Sequence, residues 1–177
     1  MIKVIDTGFE GLILIEPRAF EDERGSFYES WRLEDYKKTG VKEIFVQDNI
    51  SISKKNVLRG LHYQKNQGQL VTVVHGRIFD AAVDIRPDSK TYKKYFSIEL
   101  DANNPKQLYM PSGFAHGFCV LSDIAIINYK CTQYYNLNQE GGIIWDDLEI
   151  GIEWPIKDPI INLKDLSYKN MLLSIEV

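Results

Sequence analysis

Short runs of apolar and β-branched residues recur along the chain, broken at close intervals by turn residues from Gly8 to Pro159. Runs at 12–15, 26–31, 44–52, 70–75, 78–85, 95–100 and 124–135 are rich in β-branched and aromatic side chains, which suit a pleated, half-buried surface. Many short strands at this rhythm predict an all-β sandwich or barrel. Helical periodicity is confined to 33–38 and 163–171, the second with Asn162 placed as a cap, so helices are expected to be few and peripheral.

In the run RIFDAAVDIR, alternation puts Phe79, Ala81, Val83 and Ile85 on one strand face and Ile78, Asp80, Ala82, Asp84 and Arg86 on the other. The second face suits the polar interior of a barrel. It equally suits two aspartates facing water or paired with basic neighbours.

With 177 residues and neither linker nor internal repeat, the chain reads as one domain, large enough to bury a core without a staple. No stretch reaches the roughly 18 apolar residues that a membrane-spanning helix needs. The N-terminal apolar run stops at Glu16 and Pro17 without a signal-peptide pattern, and a cytoplasmic protein is expected. Cys119 and Cys131 lack the spacing of zinc or redox motifs and read as reduced structural thiols. The formal charge of -4, with no basic tract, excludes the electrostatic footprint of a nucleic-acid binder. A small anionic ligand would be held by a few local arginines instead.

Three histidines are candidates for chemistry. His75, in VVHGR, reads as a structural residue at a strand-to-turn junction, whereas His62 in LRGLHYQ and His116 in MPSGFAHGF sit beside glycines that permit close approach of a ligand. Arg59 places a permanent cation three residues before a titratable base, a pairing suited to proton transfer on an anionic substrate. The two-histidine pattern of small metal-binding barrels is missing, since Tyr63 and Gln64 follow His62. A nucleophile elbow, a P-loop and a dinucleotide fingerprint are absent too, which leaves acid–base chemistry with no metal and no organic cofactor.

Six segments then carry a resemblance: DERGSFYES at 22–30, FVQDNIS at 45–51, NVLRGLHYQ at 56–64, FDAAVDIR at 79–86, MPSGFAHGF at 110–118 and IGIEWP at 150–155. Together they resemble, nearly end to end, the dTDP-4-dehydrorhamnose 3,5-epimerase family. The resemblance implies a mainly β, cupin-type jelly-roll barrel (a double-stranded β-helix) spanning 1–177 as a single domain. It implies a homodimer whose N-terminal segments reach into the partner's site, and a nucleotide-diphospho-4-keto-6-deoxy sugar as substrate.

The chemistry follows from the sugar: hydrogens on C3 and C5 both flank the C4 ketone and are acidified by delocalisation of the carbanion. Inversion needs a base and an acid on opposite faces. By resemblance His62 is the base, its ordinary pKa of about 6.5 leaving it largely neutral at physiological pH. Asp165 resembles the buried aspartate that orients the histidine, and Tyr129 the phenolic acid on the opposite face. The residues alone leave open a surface carboxylate at Asp165 and a core tyrosine at Tyr129. Arg24 and Arg59 resemble diphosphate ligands, and Phe27, Glu29, Gln47, Asn49, His116 and Tyr135 resemble nucleotide or sugar contacts, with Phe27 and Glu29 acting across the dimer. Strict alternation would place Arg59 and His62 on opposite faces, so a bulge or twist is expected at Gly60.

One departure matters. Where the family carries a lysine near the substrate carbonyl, in a segment resembling QGKLV, this chain reads QGQLV with Gln69, after a shorter loop. An amide offers a neutral hydrogen bond in place of a charge, and loss of an oxyanion donor costs about 2.7 to 4 kcal/mol. Either Gln69 serves as the neutral donor or Lys65 takes the role, with inversion at C3 alone or another sugar, such as a GDP-4-keto-heptose, as the alternative. Two further readings are a metal-dependent cupin oxygenase using His62, His116 and a carboxylate, and a sugar-nucleotide binding module without catalysis.

Overall fold

The computed structural model describes residues 2–171, so residues 1 and 172–177 of the single-domain reading lie outside the described residues. Thirteen strands and two short helices follow in the order β1 (Lys3–Asp6), β2 (Ile13–Glu16), β3 (Ala19–Asp22), β4 (Gly25–Tyr28), α1 (Leu33–Lys37), β5 (Gln47–Lys54), β6 (Leu58–Gln64), β7 (Gln69–His75), β8 (Arg77–Asp84), β9 (Tyr95–Asp101), β10 (Gln107–Met110), β11 (Phe114–Val120), β12 (Ile124–Cys131), β13 (Glu140–Gly142) and α2 (Leu163–Leu166). They form a six-stranded sheet, β1-β2-β10-β7-β12-β5, a five-stranded sheet, β13-β6-β11-β8-β9, and a separate β3–β4 hairpin. This is the mainly β, jelly-roll architecture that the sequence pattern and the resemblance predicted.

Between the sheets, Leu14, Val71, Val73, Leu108 and Ile127 from the first meet Ile78, Ala82, Leu100, Phe114, Phe118 and Val120 from the second. The outer face of the six-stranded sheet is partly covered by α1 and the segment after it, where Tyr36 and Val41 bury Ile15, Leu70 and Tyr109. The outer face of the five-stranded sheet is covered by the C-terminal segment, whose Ile143, Ile150 and Met171 pack on Leu61, Val83 and Ala115. Burial on both faces explains why β8 carries apolar residues on both sides, Ile78 and Ala82 on one and Ala81 and Val83 on the other, rather than alternating apolar with polar.

Both aspartates of β8 are fully buried, which rules out the water-facing reading, while Asp84 is paired with a basic neighbour as the same alternative allowed. Asp80 accepts a hydrogen bond from His116 Nε2 at 2.8 Å. Asp84 is held by a fork from Arg86 (Nε to Oδ1 2.8 Å, Nη2 to Oδ2 2.7 Å) and by the hydroxyls of Ser89 and Thr91. Burial alone would raise the Asp84 pKa, but these donors outweigh it and bring it down to about 2.

The structure corrects several boundaries. The strand expected at 26–31 is Gly25–Tyr28, that expected at 44–52 is Gln47–Lys54, and that expected at 124–135 stops at Cys131. The helix expected at 163–171 is one turn, Leu163–Leu166, because the chain beyond it returns to bury Met171 in the outer core. Asn162 does cap it, accepting from the Asp165 N–H at 2.7 Å. His75, set aside from the sequence, is exposed at the end of β7.

Asp84→Asn is expected to cost about 2 kcal/mol at neutral pH, from a pKa held roughly two units below its unfolded value. Because the folded pKa is depressed, this contribution is present above about pH 4 and is lost as pH falls through 2. Chemical denaturation of both proteins across that range should show the stability gap closing on acidification.

Candidate active site

A cavity of about 390 Å³ opens at one end of the sandwich and is lined from both sheets. In the six-stranded sheet, inward residues form rows across neighbouring strands. Ser51, Ile127 and Val73 make a row that is apolar but for one hydroxyl, Asn49, Tyr129 and Val71 a mixed one, and Gln47, Cys131 and Gln69 a mainly polar one. The shift from apolar to polar along the strands ends the core and opens the cavity. Gln47 Nε2 donates to Asn49 Oδ1 at 3.1 Å, and Gln47 Oε1 accepts from the Tyr135 N–H at 2.9 Å, which fixes the tyrosine at the rim.

The five-stranded sheet supplies His62, Arg59 and His116. On β11, His116 pairs with His62 and Phe118 with Arg59, so three steps along β6 oppose two along β11. That extra residue is a bulge at Gly60 and Leu61, and it brings Arg59 and His62 into one cavity, as the alternation argument required. Gly60 has φ of +132°, and a Cβ there would lie 2.5 Å from Gly117 Cα and 2.8 Å from His116 O. Only two facing glycines permit this approach.

His62 Nε2 lies 2.9 Å from Oδ1 of Asp165, whose side chain is 1% exposed, and Oδ2 accepts the Gly60 N–H at 3.1 Å. Burial pushes the Asp165 pKa up, but the hydrogen bonds and charge of His62, with the Gly60 N–H, hold it below the ordinary carboxylate value. An ionised Asp165 accepts only, so His62 carries its proton on Nε2 and leaves the Nδ1 lone pair free. Tyr168 packs edge-on against the imidazole at 5.8 Å between ring centroids. Across the cavity, burial raises the Tyr129 pKa, with Cys131 adding to the rise and Arg59 opposing it, so the phenol is protonated at neutral pH.

Eight of the predicted site residues, His62, Tyr129, Gln47, Asn49, Arg59, Gln69, His116 and Tyr135, line this one cavity, and Asp165 stands behind His62. Arg24, Phe27 and Glu29 do not join them within the chain. They sit on and beside the β3–β4 hairpin, where Arg24 pairs with Asp22 and is 85% exposed and Phe27 is 66% exposed. Lys65, the alternative to Gln69, is exposed beyond β6 and outside the lining. Glu140 was missed: it accepts from Tyr135 Oη at 2.8 Å and Lys164 Nζ at 2.6 Å, a link set by the pairing of β13 with β6 and unmarked by any local motif. Among the described residues no three His, Cys, Asp or Glu side chains gather as metal ligands would, and His62 and His116 are each engaged by a separate aspartate.

The family model described as dTDP-4-dehydrorhamnose 3,5-epimerase matches residues 6–172. The chain belongs to this family. It is 46% identical over 172 residues to the dTDP-4-dehydrorhamnose 3,5-epimerase of Methanothermobacter thermautotrophicus, covering 94% of this chain and 93% of that one. It is 48% identical over 170 residues to the Shigella flexneri protein of the same name, covering 94% of each. The crystal structure of the dTDP-6-deoxy-D-glucose-3,5-epimerase of Legionella pneumophila in complex with dTDP-4-keto-L-rhamnose superposes with a TM-score of 0.94 at 44% identity, covering 98% of this chain and 94% of that chain. The sequence resemblance to the epimerase family is therefore borne out over the whole described fold.

Gly60→Ala should displace β11 or undo the bulge, costing more than about 2 kcal/mol of stability. A thermal or chemical melt of the variant measures it, and a melt unchanged from the parent would contradict the close approach.

Proposed function

We propose that this protein is an isomerase that inverts C3 and C5 of dTDP-4-keto-6-deoxyglucose, giving the dTDP-4-dehydrorhamnose configuration, by deprotonation and reprotonation beside the C4 ketone. The observation that carries the reading is that His62, with Asp165 behind it, and a protonated Tyr129 face one cavity from opposing sheets. His62 Nδ1 takes the proton from the carbon, the electron pair delocalises onto the C4 oxygen, and the enolate takes a proton from Tyr129 Oη on the other face. Asp165 holds the ring and balances the imidazolium. Arg59 binds the diphosphate through its guanidinium, and Gln47, Asn49, His116 and Tyr135 contact the sugar and base.

We propose further that the working unit is a cytoplasmic homodimer in which the β3–β4 hairpin delivers Arg24, Phe27 and Glu29 to the partner's cavity. Their exposure supports this, as does the uncovered apolar strip of Ile50, Ile52, Val74 and Ile124 on the six-stranded sheet. Two buried free thiols fit a reducing compartment. A second reading, inversion at C3 alone or of another nucleotide 4-keto sugar, is favoured by Gln69 in the lysine position.

Incubation with dTDP-4-keto-6-deoxyglucose in D2O should place deuterium at C3 and C5. His62→Asn should slow both exchanges by roughly 10²- to 10⁴-fold. Tyr129→Phe should suppress inversion more than exchange, since His62 can still return deuterium to the original face. Deuterium at C3 alone selects the second reading, and none with any 4-keto sugar nucleotide overturns the proposal.

For the dimer, mixing Arg24→Ala with His62→Asn under conditions of subunit exchange should recover activity that neither homodimer has. A mixed dimer then contains one site with both an intact His62 and an Arg24 from its neighbour. No recovery on confirmed exchange would overturn the shared site.

A further inference from the structure

Stabilising the enolate oxygen requires a donor aimed at C4, and the cavity offers an unusual one. Among the described residues lining it, Arg59 is the sole lysine or arginine, and its Nε donates to Ser53 Oγ at 3.0 Å. Lys65 lies outside the cavity lining, and its backbone N–H donates to Gln139 O at 3.0 Å. Lys130 alternates away from Tyr129 on β12 and pairs with Asp48 at 2.5 Å. Among the described residues, therefore, no lysine lines the cavity in the place of the one that the family resemblance implies.

Two amides occupy that place. Gln67 Nε2 donates to Gln133 O at 2.9 Å, and Gln69 Nε2 donates to Gln67 Oε1 at 3.1 Å. A backbone carbonyl can only accept, so it orients the Gln67 amide with Oε1 toward Gln69. That oxygen in turn orients Gln69 with its nitrogen toward Gln67, and the second N–H of that nitrogen has no partner among the described residues. Gln69 sits in the inward row with Gln47 and Cys131, one row beyond Tyr129.

We infer that Gln67 and Gln69 form a neutral oxyanion relay: Gln69 donates its second amide N–H to the C4 oxygen, and Gln67 is the positioning residue that fixes its orientation. The inference rests on the epimerase reading and specifies how that site handles negative charge at C4 without a lysine there. A carboxamide dipole held through one hydrogen bond to an amide that is itself fixed to backbone needs little reorganisation as charge develops on the oxygen, which is the condition for transition-state stabilisation without a full charge. The relay also predicts that Gln69 acts on kcat more than on KM, because the ketone oxygen gains its charge only after ground-state binding.

The test measures deuterium exchange at C3 and C5, with kcat and KM, for dTDP-4-keto-6-deoxyglucose. Gln69→Ala should lower kcat roughly 10- to 100-fold with KM within about threefold. Gln69→Glu, nearly the same shape, should lower it further by placing a carboxylate against the enolate. Gln69→Lys should restore or exceed the parent rate. Gln67→Met should lower kcat about tenfold in the parent but not in the Gln69→Lys protein, where no amide needs orienting, whereas mere structural damage would appear in both. Lys65→Ala should leave kcat unchanged.

An active parent whose kcat is insensitive to Gln69→Ala and Gln69→Glu overturns the relay and leaves the epimerase reading standing. So does a loss on Lys65→Ala as large as that on Gln69→Ala, or an equal loss on Gln67→Met in both backgrounds. A parent without exchange overturns both.

Discussion

The contact of Gly60 with Gly117 is the constraint on which the site depends. Two strands approach so closely there that a single Cβ on either side would collide with backbone or with Leu61, and the resulting bulge adds one residue to β6. That residue turns Arg59 and His62 to the same face and hands the Gly60 N–H to Asp165. A guanidinium, an imidazole and the carboxylate that holds the imidazole are thereby placed by one backbone irregularity. A regular strand would present the cation and the base to opposite sides of the sheet.

The two sheets play different parts. The five-stranded sheet is buried on both faces, and its rigidity suits groups that must be placed accurately, His62 with Asp165 and His116 with Asp80. The six-stranded sheet supplies the opposite wall through graded rows, apolar in the core and amide-rich at the mouth. Polar groups at that mouth are tied to one another or to backbone, as in Gln47 with Tyr135 and Gln64 with Asn136, so the wall is ordered before a ligand arrives.

Much of this was legible in the sequence, and the rest was hidden for physical reasons. Turn residues and β-branched runs revealed the β class, and the misfit between strand alternation and the Arg59–His62 spacing located the bulge. Strand ends were less legible, because Phe45 and Trp31 are apolar for packing beside α1 rather than for pairing in a strand. The alternatives for Asp80 and Asp84 needed coordinates, since burial of a carboxylate depends on partners elsewhere in the chain. Glu140 carried no local signal, because its place comes from pairing with Gln64 across 76 residues of chain. The hairpin residues Arg24, Phe27 and Glu29 were named by family likeness alone, and within the described residues they do not line the cavity.

Asp165 reaches His62 from 103 positions further along the chain, on the segment that closes over the five-stranded sheet. On a ribosome, the sheet bearing the imidazole emerges long before the carboxylate that sets its tautomer. A nascent chain therefore holds an unaligned histidine until the segment that carries Asp165 has been made and has docked on the sheet.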